Sequence, residues 1–414
     1  MKKDYFITFF ISQISFVLHL LSFKLVAKFF GENGFALYNL ANRAIAVLAP
    51  LMLLGLGISL TRKVAMIQDE SDFKGKALLL NALLPVSAAL LVFLLFCIIT
   101  PSASAMLLFG DESLRELSIP IVVYVSGLSL SGILQAFFRG KTEFVISNMV
   151  ALLSSSIIPV ICILLFRYKI EHVYLSAGCA TIASSVLYFT VYLKTENQTL
   201  IRVPIIKDHL TYGVPRLPGD LSFYMLFMIP SWLATCFYGL EVGGSVAFAC
   251  TILNLGTIAI FPISYIMLPK ASAMLINGQH LMLRDLVVKI ILFSCLMSLL
   301  GIAIIEFCIE PAVRVFLGSE YTKAVGLIRI LAVGLLPYSI FISLRSIIDA
   351  GFRRPQNAYN SIAALIVLVS VGFTLRIFVD NVVSFLIALV VSLYALGLIS
   401  VRDTLRVLKC EVHL

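Results

Sequence analysis

Arg216 stands in "YGVPRLPGDL" (212–221), with Pro215 and Pro218 around it, at the head of a stretch that runs apolar to about Tyr238. A guanidinium offers five donors in a planar fork, a geometry suited to phosphate and carboxylate oxygens. Two further cations fall inside apolar stretches, Lys24 and Arg43, and Asn39 lies four residues before Arg43 on the same helical face. A charge at mid-membrane costs about 2.5–3.5 kcal/mol on insertion scales, so by default it faces protein or a wet cavity. Converging cations would bind an anion, with phosphate the obvious candidate. Asp220, four residues after Arg216, either neutralises it within one helix or joins the same site. His19 and the row Ser12, Ser15 and Ser22 form a polar stripe below Lys24. That stripe reads equally as cavity lining or as interhelical packing. Lys28, Lys289 and Arg329 lie near span ends, where long side chains snorkel to the interface.

The elements that carry these residues are membrane spans. The 414 residues are 60% hydrophobic and only 13% charged, and the mean hydropathy is +1.04. Soluble domains average about 45–50% apolar and about 25% charged. Twelve apolar windows are long enough to cross about 30 Å of hydrocarbon. They lie near 5–30, 37–61, 77–100, 119–138, 145–166, 173–193, 210–238, 243–268, 286–309, 323–345, 358–378 and 382–401. The first runs too long for a signal peptide and reads as a retained helix. With the N-terminus inside, nineteen lysines and arginines fall on the cytoplasmic side and six outside. That asymmetry places both termini in the cytoplasm. It also accounts for the net charge of +9 without nucleic acid.

An internal repeat organises the spans. "SASAMLLFGDESLRELSIPIVV" (102–123) recurs as "EPAVRVFLGSEYTKAVGLIRILAV" (310–333), matching Gly110 to Gly318. "AFFRGKTEF" (136–144) recurs as "IDAGFRRPQNAY" (348–359), and "FFGENGFALYNLANR" (29–43) as "CFYGLEVGGSVAFACTIL" (236–253), the last matching Gly34 to Gly244. The expected fold is therefore an all-α polytopic membrane protein of twelve helices in two parallel six-helix repeats. The domains are an N-terminal lobe at 1–193, a cytoplasmic linker at 194–209 and a C-terminal lobe at 210–414. Parallel repeats of this kind are a transporter architecture, with substrate between the halves. The eight cysteines show no CxxC pair, "FRGKT" (138–142) lacks the upstream glycine of a P-loop, and no catalytic triad is evident. No enzymatic activity, metal or cofactor is expected.

The motif "YGVPRLPGDL" opening span 7, with "LPKAS" (268–272) and "FLGSEYTKA" (316–324), resembles the O-antigen (Wzx-like) flippases of the multidrug/oligosaccharidyl-lipid/polysaccharide (MOP) exporter superfamily. The resemblance covers the whole chain. It implies a multi-pass protein of the bacterial inner membrane that moves undecaprenyl-diphosphate-linked oligosaccharide units outward through a cationic central cavity. Arg216, Lys24 and Arg43 would supply the cations. Membrane lipids and other polysaccharide-assembly proteins are the remaining partners, and a monomer is expected. Two other readings stay open. One is a cation-coupled multidrug exporter, although span 1 carries no carboxylate beyond Asp4 at its start. The other is a membrane polysaccharide polymerase or ligase, although no long outside loop is present.

Overall fold

The computed structural model describes residues 2–66, 72–193, 201–258, 260–352 and 354–409. Residues 194–200 of the expected linker, Arg353 and Cys410 lie outside the described residues, as do the side chains of Ser12 and Arg216. Among the described residues every regular element is helical. Hydrocarbon offers backbone groups no hydrogen-bond partner, and a helix satisfies them within its own segment.

The chain divides into two compact units, 1–217 and 218–414. The first holds α1 (Lys2–Met52), α2 (Leu56–Met66), α3 (Asp72–Ile99), α4 (Pro101–Phe109), α5 (Arg115–Gly140), α6 (Phe144–Leu152), α7 (Ile158–Leu165), α8 (Ile170–Leu193) and α9 (Val203–Gly213). A 3₁₀ turn, Val214–Arg216, leads to α10 (Leu217–Tyr238). The second unit continues with α11 (Leu240–Leu255), α12 (Phe261–Ile276), α13 (His280–Phe316), α14 (Lys323–Ala332), α15 (Leu335–Gly351), α16 (Gln356–Phe378) and α17 (Val383–Leu408). The division falls at Leu217/Pro218, inside the window assigned to span 7, and α9 takes up the end of the expected linker, from Val203 on.

Among the described residues nine helices are long and apolar enough to cross a membrane, or ten if one bent pair counts as a span. Twelve windows were expected, and the difference has three causes. The first two windows share α1, interrupted at Gly31 rather than by a loop. The window at 243–268 is divided between α11 and α12. The window at 323–345 is the bent pair, α14 and α15 meeting at 57°. Each is a break in the backbone that hydropathy alone does not register.

Gly31 has φ 65° and ψ −165°, and Gly239, before α11, has φ 86° and ψ 175°. That region of backbone space is essentially open to glycine alone. The two stand 208 residues apart, the spacing that also separates the positive-φ glycines Gly110 and Gly318.

Packing within each unit relies on small residues. Lipid tails are as apolar as leucine, so helices associate through close approach and hydrogen bonding rather than the hydrophobic effect. In the first unit α5 packs along α8, α2 and α3. Gly127 and Gly178 sit at the α5–α8 crossing, where a Cβ on Gly178 would lie 2.6 Å from the Tyr124 backbone nitrogen. In the second unit α17 packs along α16 and α15. Its Ser384, Ser392 and Ser400 are all buried. Ser392 and Ser400 donate to their own helix, to the carbonyls of Leu389 and Leu396.

Gly178→Ala therefore overpacks a backbone contact that has no side chain to move aside. The expected loss is about 1–3 kcal/mol, read as a lower unfolding temperature in detergent.

Candidate functional site

The cations expected to bind an anion lie on α1 and, for Arg216, in the 3₁₀ turn before α10, all within the first unit, whereas Asp220 lies in the second. In α1, Phe23 packs on Phe35 and Tyr38 across the Gly31 break, with ring centroids 6.1 and 5.8 Å apart. This lays the Lys24 segment beside the segment of Asn39 and Arg43. Lys24 is exposed, whereas Arg43 is 9% and Asn39 1% exposed. The Asn39 amide donates to the Phe35 carbonyl at 2.8 Å. Its own carbonyl oxygen is buried with no hydrogen-bond donor among the described residues. A buried acceptor left unmade costs about 1–3 kcal/mol, so Asn39 marks a polar position inside a membrane-crossing stretch.

The polar stripe below Lys24 resolves into two parts. His19 Nδ1 lies 2.8 Å from the Ser15 carbonyl and 3.5 Å from the Ser156 hydroxyl, and Ser15 and Ser156 join hydroxyl to hydroxyl. Ser156 sits in a π-helical turn, Leu153–Ile157, between α6 and α7. Such turns are rare, and they are frequent at functional sites. Ser15 thus serves interhelical bonding, while His19 remains exposed. Ser22 is buried and donates to the Leu18 carbonyl at 3.0 Å. The π-turn was missed from sequence; its signals were the serine triplet 154–156 and Pro159.

Around Arg216 the backbone tells most. Val214–Arg216 form the 3₁₀ turn, and α10 starts at the next residue. Asp220 is held by Arg345 of α15 at 3.5 Å, and the Arg345 guanidinium lies 5.8 Å from the centre of the Phe223 ring. Arg345 belongs to this neighbourhood and was read from sequence only as a cytoplasmic-side charge. Next to it, Asn357 donates to Asp349 at 2.6 Å and to the Arg345 carbonyl at 2.8 Å.

The helix before Arg216 is tied to its own unit by residues that hydropathy did not single out. The Arg202 backbone N–H donates to the buried Asn81 side chain at 2.8 Å. Asp208 pairs with Lys63 of α2. His209 is fully buried, its Nδ1 2.9 Å from the Ser59 hydroxyl. Arg62 stacks on Tyr212 at 5.0 Å. Burial pushes the His209 imidazole down from 6.5 to about 4, helped by the Lys63 charge and opposed by Asp208 and the Leu78 backbone. The Lys63 hydrogen bond holds Asp208 below its usual range. Among the described residues no group of three His, Cys, Asp or Glu is placed to share a metal ion.

Residues 1–275 match the family model described as polysaccharide biosynthesis protein, well over half of the chain. The chain belongs to this family. Its similarity extends to Stage V sporulation protein B of Bacillus subtilis (strain 168), 23% identical over an alignment of 380 residues that covers 84% of this chain and 73% of that protein. Among solved structures, the polysaccharide biosynthesis chain superposes on an inward-facing multidrug resistance MATE family transporter of the MOP superfamily. The TM-score is 0.75, with 14% identity and 95% of each chain covered. It also superposes on a MOP superfamily transporter from Pyrococcus furiosus with a TM-score of 0.68 and 14% identity, over 98% of this chain and 95% of that one. The fold is that of MOP transporters. This member of the polysaccharide biosynthesis family is a multi-pass membrane protein.

The docking of α9 is expected to weaken in acid. When α9 comes away, His209 takes a proton near 6.5, but docked it does so only near 4. The undocked state therefore binds more protons between those values, and docking weakens as pH falls through them. Hydrogen exchange of Val203–Gly213, corrected for intrinsic rates, should lose protection across that range. His209→Leu should remove that slope.

Proposed function

We propose that this transporter moves undecaprenyl-diphosphate-linked oligosaccharide units across the bacterial inner membrane by alternating access. The polysaccharide biosynthesis family supplies the substrate class. A diphosphate is the anion that membrane-embedded arginine and lysine side chains suit best. Arg216, Lys24 and Arg43 bind it, Asn39 and His19 offer polar contacts to the first sugar, and Asp220 with Arg345 tunes the charge near Arg216. The observation that carries the reading is Asn39 and Arg43, buried one turn apart on α1 within a membrane-crossing stretch.

Twelve spans follow if α1 counts as two around Gly31 and α11 with α12 as one, added to the ten above. The repeat of positive-φ glycines at 208 residues supports two parallel halves: a lobe at 1–193, a linker at 194–209 and a lobe at 210–414. Both termini are then cytoplasmic, and the chain works as a monomer alongside other polysaccharide-assembly proteins.

The second reading is a multidrug exporter, favoured by the likeness to a multidrug resistance transporter. The Pyrococcus furiosus relative is described by a reversed polarity of its binding pocket that suggests a different function. Here the intramembrane side chains of α1 are cationic and amide, which suits an anionic headgroup over a cationic drug.

Hydrogen bonds to charged groups are worth about 1.5–3 kcal/mol, about tenfold or more in binding. Arg216→Ala and Arg43→Ala should each lower surface polysaccharide about tenfold at equal membrane protein level, with Lys24→Ala milder. Wild-type output from all three variants would refute the cationic site. A deletion strain hypersensitive to drugs but normal in polysaccharide would favour the exporter.

A further inference from the structure

The stretch around Arg216 carries more than a charge. Gly213, the last residue of α9, lies backbone to backbone against Leu54 and Gly55, in the break between α1 and α2. A Cβ on Gly55 would stand 2.4 Å from the Gly213 carbonyl oxygen, and one on Gly213 would stand 2.7 Å from the Leu54 carbonyl oxygen. Leu54 and Gly55 both have positive φ, 52° and 67°. The chain there is bent into a shape that glycine tolerates best, and it places a carbonyl against α9. With Asn81, Ser59, Lys63 and Arg62, this contact fastens α9 to the first unit along its whole length.

Gly219 is fixed in the same manner within the second unit. A Cβ there would stand 2.2 Å from the Ala358 Cβ and 2.7 Å from its Cα. Between the two fastened glycines lie five residues, Val214 to Pro218, with Arg216 at their centre. Pro215 and Pro218 carry no N–H, so the helical ladder loses two donors there. Loss of those bonds lets a helix bend. The chain passes from one compact unit to the other inside this stretch.

We infer that Gly55, Gly213 and Gly219 are positioning residues that clamp both ends of a five-residue joint and thereby place Arg216, with α9 travelling as part of the first unit. This rests on the reading that Arg216 binds the diphosphate. Neither helix propensity nor hydropathy explains glycine at all three positions; backbone contact does. A motion of the two units relative to each other then concentrates at Val214–Pro218, and Arg216 shifts with it.

Two measurements decide. The first is the affinity of the purified chain for undecaprenyl diphosphate in detergent, with thermal unfolding followed in parallel. Arg216→Ala should weaken binding about tenfold. Gly213→Ala and Gly55→Ala should weaken it comparably, and Gly213→Ala combined with Arg216→Ala should be no worse than Arg216→Ala alone. Additive losses, or wild-type affinity in Gly213→Ala, overturn the positioning role. Gly57→Ala is the control, because a Cβ there meets only Ala136 at 3.8 Å. Wild-type affinity in Arg216→Ala would instead sink the diphosphate reading, and with it the placing of Arg216 for that ligand.

The second measurement needs no glycine variant. Spin labels at Ile58→Cys and Val203→Cys, in a chain whose eight native cysteines are replaced, report the α2–α9 distance in liposomes. One narrow distribution, unchanged by undecaprenyl diphosphate, is the expected result. A second, longer distance on adding it would show α9 leaving the first unit, which overturns the clamp whatever Arg216 binds.

Discussion

Hydrocarbon cannot form hydrogen bonds, and most of what is seen in this chain follows from that. Each backbone donor and acceptor must be met within the segment, which leaves helices as the only elements described. The same constraint decides where a helix is allowed to stop being one. Gly31, the Leu53–Gly55 break, the π-turn at Leu153–Ile157 and the 3₁₀ turn before α10 are departures from the ladder. Each sits against another part of its own unit or beside a polar residue.

Because lipid supplies no squeezing force, helices are held by fit. Gly127 and Gly178 bring α5 and α8 close enough for backbone atoms to touch, and buried serines return their hydroxyls to carbonyls of their own helices. Charges obey the same logic with larger stakes. Asp220 is met by Arg345 and Asp208 by Lys63, whereas the carbonyl of Asn39 is left buried and unmet. Other buried atoms share that condition among the described residues, the hydroxyls of Ser118, Ser129 and Ser294 among them.

The stretch "YGVPRLPGDL" gathers several of these rules. Its glycines are contact points, its prolines release the ladder, and its arginine stands between two fastened ends. A lone reading of Arg216 as a misplaced charge misses that its neighbours are as unusual as it is. The His209, Lys63 and Asn81 contacts extend the same theme upstream, converting an apparent linker into a helix built onto the first unit.

Composition and apolar run length were enough to establish helices and a membrane, because insertion energy is nearly additive along the chain. The cations Lys24, Arg43 and Arg216 stood out for the same reason. The breaks did not. A glycine at Gly31 or a bend between α14 and α15 leaves hydropathy untouched, so among the described residues the twelve windows correspond to nine long apolar helices, or ten with the bent pair. Nor could sequence tell that Ser15 reaches Ser156, that Arg345 holds Asp220, or that Gly55 lies on Gly213. Those partners are 141, 125 and 158 positions apart. Only packing brings them together, since close contact depends on where two helices cross and not on what either one contains.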